Sequence, residues 1–342
     1  MIAIMAILLI TLSNDGYWLA ERPATIDIQW ASPQASPGAA LVWEFGFTAL
    51  RLADGKVEIG RDGASISIEP PEVRVPTEFR WLYRVVRKDD KRTLTTGEAA
   101  ILVYPRNQLD GVAERLSGKK VIVWDRSGRL SAVLVQAGIQ HDAIDHASGL
   151  ALVSPDVILV GPDTLSGALF EQAPLINHAR AGSNLIIFAQ TRLSRLAGYQ
   201  LQRRVPTRQM EWRMDHPLLV DLSRAALDSC SRRAGADTRA VRLPKDEAAL
   251  EIGYWRRDSA GREPAPIDAL LVTKAIGAGR LVLCQAPLDR WQDDPRSRIF
   301  LRNTLNYALS RAEPTPRPSE RKAGDASGAR TSRNGILSGD AP

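Results

Sequence analysis

The chain has 342 residues, of which 44% are hydrophobic and 25% charged, a composition that excludes fibrous and wholly disordered proteins and leaves room for about two domains. Its 45 basic and 39 acidic residues give a net charge of +6. The excess is spread along the chain and its tail, and the nearest to a basic cluster are isolated pairs (Arg203-Arg204, Arg232-Arg233, Arg256-Arg257) with no repeated aromatic partner, which argues against a nucleic-acid partner, and two cysteines are too few for a disulfide framework or a four-cysteine zinc site.

The chain opens on an apolar run, Ile2 to Leu12, within a segment 1–24 that stands apart from the β-rich region after it. The run is shorter than the roughly 20 residues that span a bilayer as a helix. It has the length of a signal-peptide core, yet no Lys or Arg precedes it and no small-residue cleavage site follows at Ser13-Asn14-Asp15. Three readings stay open: a divergent signal or anchor of an exported or envelope-associated protein, a buried first strand, or a start chosen inside a longer reading frame. Only an uncleaved anchor would bring a membrane into play.

Residues 25–106 read as β-structure. Leu41, Trp43, Phe45, Phe47 and Ala49 are apolar at every second position, and Phe79, Trp81, Tyr83 and Val85 repeat the pattern against Arg80 and Arg84. Shorter alternations occur at Ile26/Ile28/Trp30, Ile66/Ile68 and Ile101/Val103. Turn signals separate them: Ser36-Pro37-Gly38, Asp54-Gly55, Asp62-Gly63, Pro70-Pro71 and Asp89-Asp90. Short strands at this spacing predict an antiparallel sandwich of immunoglobulin type, without the cysteine pair of antibody domains.

From about residue 107 to 312 strands alternate with helices. Val121–Trp124 is continuously apolar, as a strand covered on both faces must be, and a helix through Leu130, Val133, Leu134 and Ala137 follows to Gly138. His141–Ile144 is a weak second strand, Asp156–Val160 a third, and a helix from Leu169 to Ala181 leads to a fourth at Asn184–Ala189. Ala269–Ala275 and Arg280–Cys284 form a late hairpin around Gly277-Ala278-Gly279, and a final helix runs from Asp294 to Ser310. The β-α-β-α order predicts a flavodoxin-like, doubly wound α/β sheet, interrupted at 190–268 by loops and short strands. Residues 313–342, rich in Pro, Gly, Ser and Arg, read as a disordered tail.

Taken in order, the segments VIVWDRSGRL, DVILVGPDTLS, AGSNLIIFAQ, MDHPLLVDL, GAGRLVLCQAPLD and DPRSRIFLRNTLNYAL resemble the class I glutamine-amidotransferase-like domain of β-galactosidase trimerisation modules. They are also similar to modules appended to large bacterial glycoside hydrolases, where an immunoglobulin-like sandwich often comes first. The resemblance implies a carbohydrate-degradation setting and a role in assembly. It does not carry the amidotransferase activity over. That chemistry needs a nucleophilic Cys on a tight strand-to-helix elbow, a His within hydrogen-bond reach and a Glu to orient it. Where the elbow belongs, the chain has Ala189-Gln190-Thr191-Arg192, with no His-x-Glu pair downstream among His141, His146, His178 and His216. Cys284 reads as a core thiol, and Cys230 has no His within ten residues.

No nucleophile elbow, Walker loop or zinc-protease motif is present, the Gly277-Ala278-Gly279 run sits in a hairpin rather than opening a helix, and no cofactor is implied. His141 and His146 with Asp142 or Asp145 lack a further ligand motif, so no metal site is read there. A doubly wound sheet binds ligands beyond its strand ends, which places Asp125, Arg126, Ser127, Asp163, Gln190, Arg192, Gln285 and Asp289 together as candidate binding residues, suited to sugar hydroxyls. The plainer reading is that Asp125 or Ser127, and Asp163 or Ser166, cap helices. Trp43 and Trp81 fall on the core phase of their strands, whereas Trp255 and Trp291 read as exposed contact surface. The sequence therefore points to a non-catalytic accessory or assembly protein, as a homo-oligomer or beside a glycoside hydrolase. The alternatives are a glycoside hydrolase-related enzyme with Asp125, Asp163 or Asp289 as acid and base, and a sugar-binding module.

Overall fold

A computed structural model describes residues 8–31, 38–47, 50–203, 210–233, 239–244, 249–256 and 267–310. The predicted tail, the residues before Leu8, and the Ser36-Pro37 and Ala49 positions lie outside them. The described chain is mixed α/β with β-structure dominant. Its first part is a two-sheet sandwich built from β1 (Leu8–Leu12), β2 (Tyr17–Leu19), β3 (Ala24–Trp30), β4 (Ala39–Phe47), β5 (Leu50–Ile59), β6 (Ala64–Ile68), β7 (Thr77–Arg87) and β8 (Thr93–Tyr104). One sheet has the order β1-β3-β6 and the other β2-β8-β7-β4-β5. Leu8–Leu12 pairs antiparallel with β3, so this part of the apolar N-terminal run is a strand of the sandwich.

Period-two alternation works here because only one face of each sheet is covered. Ile26, Ile28, Leu41, Phe45, Phe79, Trp81, Ile101 and Val103 all point into one core, and Phe45 stacks on Phe79 at 5.2 Å. The predicted turn at Asp54-Gly55 is a correction: both residues lie inside β5, opposite Glu44 and Trp43. A Cβ on Gly55 would come within 2.9 Å of the Trp43 indole, so this glycine makes room for a ring across the strand pair rather than for a bend.

The second part begins with a short helix α1 (Val112–Arg115) and continues β9 (Val121–Trp124), α2 (Arg129–Gln136), β10 (Asp142–Ala143), β11 (Val157–Val160), α3 (Leu169–Ala181) and β12 (Asn184–Ile187). Then come β13 (Arg195–Leu196), β14 (Tyr199–Arg203), β15 (Glu211–Trp212), α4 (Arg224–Arg233), β16 (Arg239–Leu243), β17 (Leu250–Arg256), β18 (Ile267–Ile276), β19 (Gly279–Cys284) and α5 (Pro295–Leu309). Strands β10, β9, β11, β12 and β19 are parallel in that spatial order. The hairpin β18–β19 returns the chain to the sheet, and β14, β16 and β17 extend it with antiparallel pairs. The described strands between β12 and β18 thus form an antiparallel extension of the same sheet, with the helix α4 among them where the sequence reading expected only loops and short strands.

The parallel strands separate two cores. Val121, Val123, Leu159 and Ile186 face α2 and α5 on one side, and Ile122, Trp124, Ile158 and Leu185 face α3 on the other. The sandwich docks through β2: Arg296 of α5, fully buried, forms a bidentate pair with Asp294, donates to Ser229 Oγ and lies 4.4 Å over the Tyr17 ring. A charge withdrawn from water in this way is tolerable only with its donors satisfied.

His216 is buried against the C-terminal part of α5, its ring 5.1 Å from that of Tyr307 and its Nδ1 accepting from the Leu218 amide. Burial is the main reason its affinity for a proton is depressed to a pKa of about 4, with Arg280 and Arg213 adding to the effect and Asp215 opposing it. The unfolded chain therefore takes up this proton first. The contribution of neutral His216 is complete above about pH 6.5 and is lost as the pH falls toward 4, about 3 kcal/mol in all. Urea titrations between pH 7.5 and 4 should show that loss, and His216→Asn, which keeps an acceptor for the Leu218 amide, should flatten it.

Candidate functional site at the carboxyl edge of the parallel sheet

The residues proposed from sequence as ligand contacts do gather at the ends of β9, β11, β12 and β19, but most of them are held by hydrogen bonds within the protein. Asp125 follows β9 and bends back: its Oδ1 accepts from the Ser127 amide at 3.1 Å and the Ser127 hydroxyl at 2.7 Å, and its Oδ2 from the Leu130 amide at 2.6 Å. The N-cap of α2 is Gly128, so neither Asp125 nor Ser127 is the cap expected from sequence, but Asp125 still reaches the Leu130 N–H in the first turn of the helix. Gly161, after β11, leaves the space for it, since a Cβ would lie 2.5 Å from Asp125 Oδ1.

Arg126 reaches across to the neighbouring loop. Its amide donates to Thr164 Oγ1 at 3.3 Å and its guanidinium to Glu171 Oε1 at 3.2 Å, while Glu171 Oε2 accepts from the Ser166 amide. Here the sequence reading needs correction. Neither Asp163 nor Ser166 caps α3, whose N-cap is Ala168; Glu171 of the first turn reaches back instead. Asp163 takes a left-handed backbone, φ +48°, and its Oδ1 accepts from the Thr191 amide at 2.6 Å while both oxygens lie 3.0 Å from the Thr191 hydroxyl.

Gln190 is the centre of the edge. Its side chain has no solvent exposure, and every polar atom of it is engaged: Nε2 donates to the Gly161 and Phe188 carbonyls at 2.8 Å each, and Oε1 accepts from the Leu165 amide at 3.0 Å. The Gln190 amide in turn donates to Oε1 of Gln285, itself buried just beyond β19, at 3.1 Å. Arg192 is exposed on the far side of Thr191. Sequence reasoning missed Thr164, Glu171, Thr191 and Arg129; of these only Glu171, an acid in a first helical turn, carries a sequence signal.

Asp289 is the least engaged acid. It lies 4.0 Å from the Arg129 guanidinium, mostly covered. Burial raises its proton affinity above the ordinary carboxylate range, Arg129 opposes that, and the neighbouring Asp163 charge adds to it. Cys284 is wholly buried in the core. The side chains of Cys230 and Trp255 lie outside the described residues. Trp291, read from sequence as exposed, is 1% exposed and packs edge-to-face on Phe188 at 5.1 Å, so it cannot offer a face to a sugar; Trp81 is buried as predicted. Among the described residues no three His, Cys, Asp or Glu side chains are grouped to hold a metal.

No protein-family model and no curated protein matches the chain. Among solved structures it is similar to the CARDB domain of the PF1109 protein of Pyrococcus furiosus, in complex with di-metal ions, at 10% identity and TM-score 0.21 over 29% of this chain and 90% of that one. The PmoD soluble domain of Methylocystis gives 11% identity and TM-score 0.21 over 30% and 94%. A β-glucosidase of Listeria innocua gives 10% identity and TM-score 0.18 over 29% of this chain and 16% of that one.

Two substitutions probe this edge. Gln190→Leu strands two buried carbonyls and one amide, and should cost about 3–5 kcal/mol in urea unfolding. Asp289→Asn should do the opposite at neutral pH. A carboxyl with raised proton affinity contributes its stability while protonated and loses it as pH rises, so the variant should be the more stable at pH 7, and the difference should close as the pH falls below the carboxylate range.

Proposed function

We propose that the chain is a non-catalytic accessory or assembly protein of carbohydrate degradation, an immunoglobulin-like sandwich followed by a flavodoxin-like, degenerate amidotransferase-like domain. The parallel order β10-β9-β11-β12-β19 supports the second domain: numbered in chain order it is 2-1-3-4-5, the doubly wound order of flavodoxin. One observation carries the non-catalytic reading. At the strand end where the related chemistry needs an exposed thiol, Gln190 turns inward and is held by three hydrogen bonds. A nucleophile must meet substrate, and this position meets only backbone.

Assembly is supported by the first turn of α3, where Leu169 is 83% and Phe170 73% exposed, adjacent in sequence and close to the same edge. Two large apolar side chains standing together in water favour an apolar partner surface. A homo-oligomer or a glycoside hydrolase partner would each bury them.

A second reading, a glycoside hydrolase-related enzyme, draws on Asp289, whose raised proton affinity suits a general acid near Asp163. The experiment that separates the two is turnover of glutamine and of aryl glycosides by the purified chain, with its sedimentation measured alongside. The accessory reading expects no turnover above buffer, and association that Leu169→Ser with Phe170→Ser abolishes. Turnover lost in Asp289→Asn would establish the hydrolase, and a strict monomer at about 100 μM would remove self-assembly.

A further inference from the structure

A separate pocket of about 180 Å³ opens at the other end of α2. Its walls are the connection from the sandwich (Arg106 to Asp110), the last turn of α2 (Val133, Gln136, Ala137) and Arg298 in the first turns of α5. Two of its groups are chemically unfinished. Gln108 is 5% exposed; its Nε2 donates to the Pro105 carbonyl at 3.1 Å, while its Oε1 has no hydrogen-bond partner among the described residues. An acceptor withdrawn from water and left unmatched is destabilising unless a donor reaches it. Arg298 donates its Nε to the Trp291 carbonyl, which fixes the plane of the guanidinium and leaves the Nη1–Nη2 edge without a hydrogen bond or ion pair among the described residues.

That edge is a two-toothed donor suited to a carboxylate or a phosphate. Neighbouring charge makes an anion welcome there. Burial and the nearby Arg22 and Arg106 all weaken the hold of Arg298 on its proton, with Asp293 opposing, so added negative charge relieves the site. The remaining walls choose between anions. Gln108 Oε1 is an acceptor, and Asp110, an exposed acid, lines the rim. A doubly charged phosphate is disfavoured beside them, whereas an anion with one charge and several hydroxyl donors satisfies the acceptor. The volume suits a molecule of monosaccharide size rather than the larger ligands of typical enzyme clefts.

We propose that this pocket binds a small hydroxylated monocarboxylate of the sugar-acid class, its carboxylate on the open edge of Arg298 and a hydroxyl donating to Gln108 Oε1. The site uses no residue of the carboxyl edge, so it stands whether or not that edge is catalytic. The test is calorimetric titration of the full chain with sodium glucuronate, glucose and inorganic phosphate. Saturable binding of glucuronate, with glucose at least about tenfold weaker, is expected. Gln108→Leu, which removes the unmatched acceptor and should melt no lower than the parent, should weaken glucuronate about tenfold, and Arg298→Lys, which keeps the charge but not the fork, at least as much. If Arg298→Lys does not fold, Gln108→Leu decides. No glucuronate binding up to about 50 mM, equal binding of glucose, binding of phosphate alone, or unchanged affinity in Gln108→Leu would each overturn the assignment.

Discussion

The inward turn of one glutamine sets the character of this protein. Gln190 leaves the end of β12 and, instead of presenting a side chain to solvent, spends its amide on the carbonyls of Gly161 and Phe188 and the amide of Leu165, while its own N–H goes to Gln285. Three neighbouring parallel strands are thereby tied together just past their ends. In a doubly wound sheet these are the groups that would otherwise be free to meet a ligand. The full satisfaction of the Gln190 side chain in a dry setting holds the arrangement, because any rearrangement exposes unmatched polar atoms to an apolar surrounding, while Gln285 Nε2 has no hydrogen-bond partner among the described residues.

The neighbouring loops obey the same logic. Asp125 fills the space that Gly161 vacates and occupies the start of α2, Asp163 accepts the left-handed backbone that lets it hold Thr191, and Arg126 and Glu171 close the gap between the two loops. The crevice expected between β9 and β11, where the strand order reverses, is occupied by the protein's own hydrogen bonds. Unfinished groups among the described residues include Gln285 Nε2 at this edge, the apolar first turn of α3 beside it, and the pocket at the foot of α2 lined by Gln108 and Arg298.

Much of the architecture could be read in advance because it is written locally. Trp81 and Phe79 alternate with arginines and are buried; Val121–Trp124 is apolar throughout and lies between two covered faces. The errors came where a distant partner decides. Asp54-Gly55 has the composition of a turn, yet its glycine answers the indole of Trp43 on the next strand. Trp291 follows Asp289-Arg290 and looks exposed, until Phe188 from β12 covers it. The edge residues do lie just after their strands, where their place in the chain put them, but the direction of their side chains could not be read. Gln190 finds its partners 29 and 95 residues away, and nothing adjacent in the chain announces that.

Amide hydrogen exchange tests the closed edge most directly. If the edge is closed, the Leu165, Gln190 and Thr191 amides, bonded to Gln190, Gln285 and Asp163, exchange only as slowly as the central strands β11 and β12, through global unfolding. Exchange of these three amides at the rate of an open loop, while the strands stay protected, would contradict it.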